Sequence, residues 1–199
     1  MTTNSVVDGE HPLQIGCFER QRDWAAWLKK NHASSPGLWL KFAKAGADAT
    51  SVSYDEAVEV ALCHGWIDGQ KKAFDDRFWL QRFTRRSAKS VWSKINKDKA
   101  LALVDAGKMA AAGLAEIERA RQDGRWDAAY DGARRSTVPD DLAAALDANP
   151  RARDFFATLD KTNRYSVLYR VQTAVKPETR ARRIAQLVQM LARHEKFHP

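Results

Sequence analysis

Two cysteines, Cys17 and Cys63, are all that the 199 residues supply. They are too few for a disulfide framework and agree with a reducing compartment. No apolar run approaches the roughly 18 residues that a membrane span needs, so no membrane insertion is expected. The first stretch, MTTNSVVDGEHPLQIG, lacks a basic n-region, an apolar h-region and a small-residue cleavage site. Secretion is therefore not expected, and the expected location is the cytoplasm. There is no Walker loop, no dinucleotide glycine fingerprint, no G-x-S-x-G elbow and no H-E-x-x-H, which removes the commonest nucleotide, hydrolase and zinc chemistries. Histidines stand only at 11, 32, 64, 194 and 198, too scattered for a local chelate. Neither a metal nor a cofactor is expected.

What is present is an ordinary globular composition, 44% apolar and 29% charged, with a net charge of +8. The excess is uneven: +1 over residues 1–50, +3 over 51–100, −3 over 101–150 and +7 over 151–199. Two basic clusters result, Arg82 to Lys99 and Arg164 to Arg183, with an acidic stretch between them. That pattern fits a localised anion pocket better than a continuous nucleic-acid stripe.

The first half mixes helix and strand signals. Trp24, Trp27, Leu28 and Asn31 follow helical spacing, predicting a helix from about Arg20 to Lys30. The apolar run Gly37 to Phe42 reads as a strand. Ser53 and Glu56 form a capping box that opens a helix closed by Gly65. Trp66 to Phe74 and Arg77 to Thr84 read as paired strands around an Asp75-Asp76 turn. From Ser90 onward every element reads as helix, with Gly107 and Gly124 as stops and Leu114, Ile117 and Ala120 facing inward. Pro139, Pro150 and Pro177 stand at first helical turns, and the last helix is expected to bury Ala181, Ile184, Leu187, Val188 and Leu191. The fold class is α+β: a small antiparallel sheet with packed helices, then an all-helical C-terminal module. The polar stretch 131–137 is the linker candidate, dividing the chain into 1–132 and 137–199.

Three groups of residues could carry chemistry. Gly65 and Gly69 bracket Trp66-Ile67-Asp68, and Trp66 and Asp68 share a strand face. A carboxylate beside an indole is a candidate acid or base; alternatively, Asp68 pairs with an arginine at 82, 85 or 86. Arg85 and Arg86 precede a helix opening near Ser90, where Ser90 or Ser93 would be the N-cap and Trp92, Asn96 and Lys97 follow. Helix-start N–H groups and arginine forks both attract anions. Lys176, Arg180, Arg182 and Arg183, with Arg164 and Arg170 upstream, form the third group, in which Arg180 and Arg183 project to similar sides. Cys63-His64 invites a nucleophile–base reading, but helix neighbours point about 100° apart, so a buried structural cysteine is the simpler account.

GWIDG at 65–69, R-R-S-x-K-S-x-W-S-x-x-N at 85–96 and K-P-E-T-R-x-R-R-I at 176–184 together resemble the bacterial YdeI/OmpD-associated, or bacteriocin-protection, family. The resemblance spans nearly the whole chain, and Val138 to about Arg193 resembles the family's short helical module. Arg85, preceded by Thr84, stands where members often carry a proline. The resemblance implies tolerance of bacteriocins or association with a porin, without a mechanism or ligand. A net charge of +8 suits the sequestration of cationic peptides badly.

Three functions remain open. The first is a stress-tolerance protein binding an anionic small molecule or acidic protein partner through Trp66, Asp68, Arg85, Arg86, Ser90, Trp92, Ser93, Asn96, Lys97, Arg180 and Arg183. The second is an enzyme using Asp68 as acid or base on an anionic substrate. The third is a nucleic-acid binder, whose affinity would fall steeply with salt.

Overall fold

The computed structural model describes residues 13–199 together with the backbone of residues 5 and 6. His11 and most of the stretch read for a leader lie outside the described residues. The chain forms two compact units, one of Met1–Ser90 with Lys99–Arg119, the other of Val91–Asp98 with Ala120–Pro199. The class is α+β, with sheet and helices in the first unit and helices in the second.

The first unit is built on five strands: β1 (Ser5–Val6), β2 (Leu13–Gly16), β3 (Leu38–Ala43), β4 (Trp66–Ala73) and β5 (Phe78–Arg85), in the order β1-β2-β3-β5-β4. The pairs β3–β5 and β4–β5 are antiparallel, as expected. The expectation of a wholly antiparallel sheet is corrected at β2, which runs parallel to β3. Parallel neighbours need a crossover, and helix α1 (Gln21–Asn31) supplies it. Trp24 and Leu28 of α1 are fully buried. Helix α2 (Tyr54–Cys63) opens on the predicted capping box: Ser53 Oγ accepts from the Glu56 N–H, and Glu56 Oε2 accepts from the Ser53 N–H at 2.9 Å. The Ser53 hydroxyl, which donates to Glu56 Oε2 at 2.7 Å, and then the Ser53 N–H hold the Glu56 carboxyl below its ordinary pKa.

The hairpin turn lacks glycine, and Asp75 replaces it by chemistry. Its Oδ1 accepts from the N–H groups of Arg77 (2.9 Å) and Phe78 (2.7 Å), an Asx turn. Gly65 has φ +71, and a Cβ there would also meet the Ala112 carbonyl oxygen at 2.9 Å. That oxygen belongs to α4 (Ala111–Gln122), whose Gly113 lies against the last turn of α2. Within α4 Ile117 and Ala120 are buried as expected, whereas Leu114 is exposed.

The helix expected from Ser90 is α3 (Lys94–Asp105), and it starts four residues later. Ser93 is its cap, accepting from the Asn96 N–H at 3.1 Å. Ser90 instead closes a local turn, its Oγ accepting from the Ser87 N–H at 2.9 Å.

The second unit contains α5 (Asp140–Asp147), α6 (Pro150–Thr158), α7 (Lys161–Gln172) and α8 (Pro177–Ala192). Pro150 and Pro177 occupy the first turns of α6 and α8. Leu142, Leu146, Phe156, Val167, Leu168, Val171, Ile184, Leu187 and Leu191 form one buried cluster. Val188 packs against it, while Ala181 faces outward.

Arg180 fastens three of these helices. Its Nε and Nη2 donate to the two carboxylate oxygens of Asp141 in α5 (2.6 and 2.8 Å), and its Nη1 donates to the Val171 carbonyl of α7 (2.9 Å). The guanidinium holds the Asp141 carboxyl below the usual carboxylate range. A depressed carboxylate stabilises the fold above its unfolded pKa of about 4 and loses that contribution as pH falls through the folded value. Solvent reaches Asp141, so the ionic share is small. Arg180→Ala is expected to cost about 1–2 kcal/mol at neutral pH. Its cost should shrink as the pH falls below about 4, read from urea denaturation at a series of pH values.

Candidate functional site

The residues singled out from sequence divide between the two units. In the first, Trp66 is fully buried and its Nε1–H donates to the His32 carbonyl at 3.0 Å. Its ring meets the edges or faces of Trp24 and Trp27, at centroid distances of 6.4 and 5.8 Å. Arg85, opposite Trp66 in the β4–β5 register, donates from Nη1 to the Ala33 carbonyl at 3.0 Å. Both side chains therefore hold carbonyls just past the C-terminus of α1, where helical partners run out.

Asp68 is not paired with an arginine. Its Oδ2 accepts from the Tyr54 hydroxyl at 2.6 Å, joining β4 to the first turn of α2. Gly69 lies at a bulge between Asp68 and Lys71, and its carbonyl accepts from Gln81 Nε2 at 2.7 Å. Arg86 is 4% exposed, and its N–H donates to the Gly65 carbonyl at 2.9 Å. A guanidinium so enclosed is removed from the surface role its sequence context suggested.

Beside this motif the Cys63 thiol is pushed up chiefly by burial, which favours the unreactive protonated form. His64 is pushed down, first by burial and then by the His32 ring 5.3 Å away. Both cysteines are free. Among the described residues, no three His, Cys, Asp or Glu side chains gather as a metal site, and no helix is long and apolar enough to cross a membrane.

In the second unit, Trp92 is buried and packs edge-on against Trp126 at 4.9 Å. Its carbonyl accepts from the Tyr130 N–H at 3.0 Å, and Ser93 bridges Tyr130 in parallel. Lys97 donates from Nζ to the Trp126 carbonyl at 3.1 Å and lies 5.2 Å from its ring. Trp92, Ser93 and Lys97, with Asn96 in the first turn of α3, thus build a seam with residues 126–130. Arg180 forms the three-helix fastening described above.

Arg183 stands differently. Its Nη1 donates to the Arg170 carbonyl (2.8 Å) and to Thr173 Oγ1 (3.3 Å), at the C-terminal end of α7. It also lines a cavity of about 620 Å³ with Tyr169, Arg170, Thr173, Gln186, Leu187, Met190 and Phe197. The Arg170 guanidinium lies 3.6 Å from the centre of the Phe197 ring and donates from Nη1 to the Ser166 carbonyl at 2.9 Å. Among the described residues, the lining holds two guanidinium groups and no carboxylate. Carbonyl contacts use only part of each guanidinium's five N–H donors. The cleft therefore combines positive charge with an apolar wall, which suits an anion carrying a hydrocarbon body. Sequence reasoning marked Arg170 and Arg183 by charge. Met190 and Phe197 carried no such signal, because Phe197 reaches the cleft from beyond the last helix.

The architecture is thus that of a sheet-and-helix unit joined in one chain to a helical module. Residues 16–116 match a family described as a domain of unknown function, DUF8412. Residues 135–194 match the family described as bacteriocin-protection, YdeI or OmpD-associated. The chain belongs to the first family over its N-terminal half, and its C-terminal part is a YdeI/OmpD-associated module of the bacteriocin-protection type. The resemblance read across nearly the whole sequence thus divides between two family models. No curated protein and no solved structure matches the chain.

Proposed function

We propose that this bacteriocin-protection-type chain acts in the cytoplasm as a binding protein for an anionic small molecule, held in the cleft between α7, α8 and Phe197. The observation that carries the reading is the pairing of Arg170 and Arg183 in a cavity of about 620 Å³ with no lining carboxylate among the described residues. A carboxylate head would take the remaining guanidinium N–H donors as charge-assisted hydrogen bonds. Leu187, Met190 and Phe197 would cover an apolar body. The free cysteines support the reducing location.

Octanoate is the probe, titrated calorimetrically against wild type, Arg183→Gln, Arg183→Lys and Arg170→Gln. Each Gln variant is expected to bind about tenfold more weakly, the loss of one charge-assisted hydrogen bond. Arg183→Lys should fall between wild type and Arg183→Gln, because it keeps charge but not the fork. Equal affinity in all four proteins, or no saturable binding to the wild type, would dismiss the cleft as the site.

A further inference from the structure

A separate concavity of about 380 Å³ lies in the helical unit, between the loop over residues 131–137 and the start of α7. Arg134, Ser136, Lys161, Arg164 and Tyr165 line it, and no carboxylate among the described residues does. None of the three cations forms an ion pair with the described residues. The adjacent acid, Asp160, is already engaged as the α7 cap: its two oxygens accept from the Asn163 N–H and Nδ2, each at 2.8 Å.

The polar groups between the cations are held in place by their own partners. Ser136 Oγ accepts from Gln172 Nε2 at 2.6 Å, which leaves the hydroxyl proton to be donated elsewhere. The Tyr165 hydroxyl donates to the Asp131 carbonyl at 3.2 Å, which leaves its oxygen as an acceptor. Gln172 Oε1 in turn accepts from the Asp131 N–H at 2.8 Å, so the loop is tied to α7 at both of these points. The Arg164 guanidinium lies 4.5 Å from the centre of the Phe156 ring, a buried side chain of α6, which fixes its position. The site thus offers three unspent positive charges, one hydroxyl donor and one phenolic acceptor.

We infer that this pocket binds a phosphomonoester on a small polar molecule, with Arg134, Lys161 and Arg164 around the phosphate and Tyr165 accepting from a ligand hydroxyl. Three cations match a group carrying close to two negative charges at neutral pH. An unassisted carboxylate would leave two of them unanswered. The volume falls at the small end of ligand sites, about 300–1,000 Å³, and exceeds the needs of a bare phosphate ion. The inference is independent of the α7–α8 cleft, with which this pocket shares no lining residue.

The test is calorimetric titration of the full chain with glycerol 3-phosphate, inorganic phosphate and vesicles containing phosphatidic acid. Glycerol 3-phosphate should bind with saturation, and about tenfold more tightly than inorganic phosphate. Lys161→Gln with Arg134→Gln removes two exposed charges that hold nothing in the fold, and should weaken binding by about a hundredfold. Arg183→Gln, in the other cleft, should leave this affinity unchanged. Absence of saturable glycerol 3-phosphate binding, equal or tighter binding of inorganic phosphate, binding to the vesicles alone, or an unaffected double variant would each overturn the assignment. Because octanoate and glycerol 3-phosphate read different variants, failure at one site does not mimic failure at the other.

Discussion

Gly113→Ala is expected to destabilise the sheet-and-helix unit by about 2–3 kcal/mol, although alanine is the better helix former. On a free helix the exchange would gain about 1 kcal/mol. Here the added methyl would stand 2.6 Å from the carbonyl oxygens of both Leu62 and Cys63, and would also collide with the Met109 thioether. A methionine can swing aside; two carbonyls at the end of α2 cannot move without opening the helix. Overpacking therefore outweighs propensity. Thermal unfolding followed by circular dichroism should show a Tm lowered by about 5–10 °C. Gly107→Ala is the control, because φ is +65 there but no atom lies within 4 Å of an added Cβ; it should cost only about 1–2 kcal/mol. A Gly113→Ala protein at least as stable as that control would mean that α4 does not seat on the end of α2.

Trp66→Ala should cost more, about 3–5 kcal/mol, the usual range for emptying a large aromatic site. The indole is fully buried, touches two other tryptophans and satisfies the His32 carbonyl. Trp66→Phe separates these contributions: it keeps most of the apolar contact and removes the donor, so about 1–2 kcal/mol is expected. Urea denaturation with a far-ultraviolet signal measures both, since six other tryptophans confuse fluorescence. A ligand-holding indole would give the opposite pattern, with stability kept and binding lost. Wild-type stability in Trp66→Ala would return the GWIDG segment to the list of ligand sites.

Features governed by neighbours in sequence were legible. The Ser53–Glu56 box, the Asp75 turn and the prolines of α6 and α8 each depend on contacts within about one turn. The motif residues were legible as special but not in their roles. Gly65 was marked by its place after a helix, yet the backbone it must admit belongs to α4. Trp66 and Arg85 were read toward a ligand because the carbonyls they serve lie 34 and 52 residues away. The Arg180–Asp141 pair spans 39 residues and likewise left no local trace. Strand β2 was missed because four residues offer too short an alternation, and its partner is reached only through a parallel crossover. Charge clustering did mark Arg164, Arg170 and Arg183, since excess charge without adjacent acids survives in any fold that leaves it accessible.

Among the described residues, the order of the sheet leaves β4 with a neighbour on one side only. A strand in that position exposes a row of backbone donors and acceptors that a second molecule could extend into a continuous ribbon. Residues 69–73 of β4 are exposed, yet two of them are lysines, and the Asp68–Lys71 bulge breaks the spacing that a foreign strand would have to match. Stacking such edges would bring Lys71 and Lys72 of successive copies together, so like charges repel where the backbone would otherwise pair. The lysines that enlarge the basic balance of this half thereby set a charge penalty, and the bulge a spacing penalty, on edge-to-edge pairing along this strand.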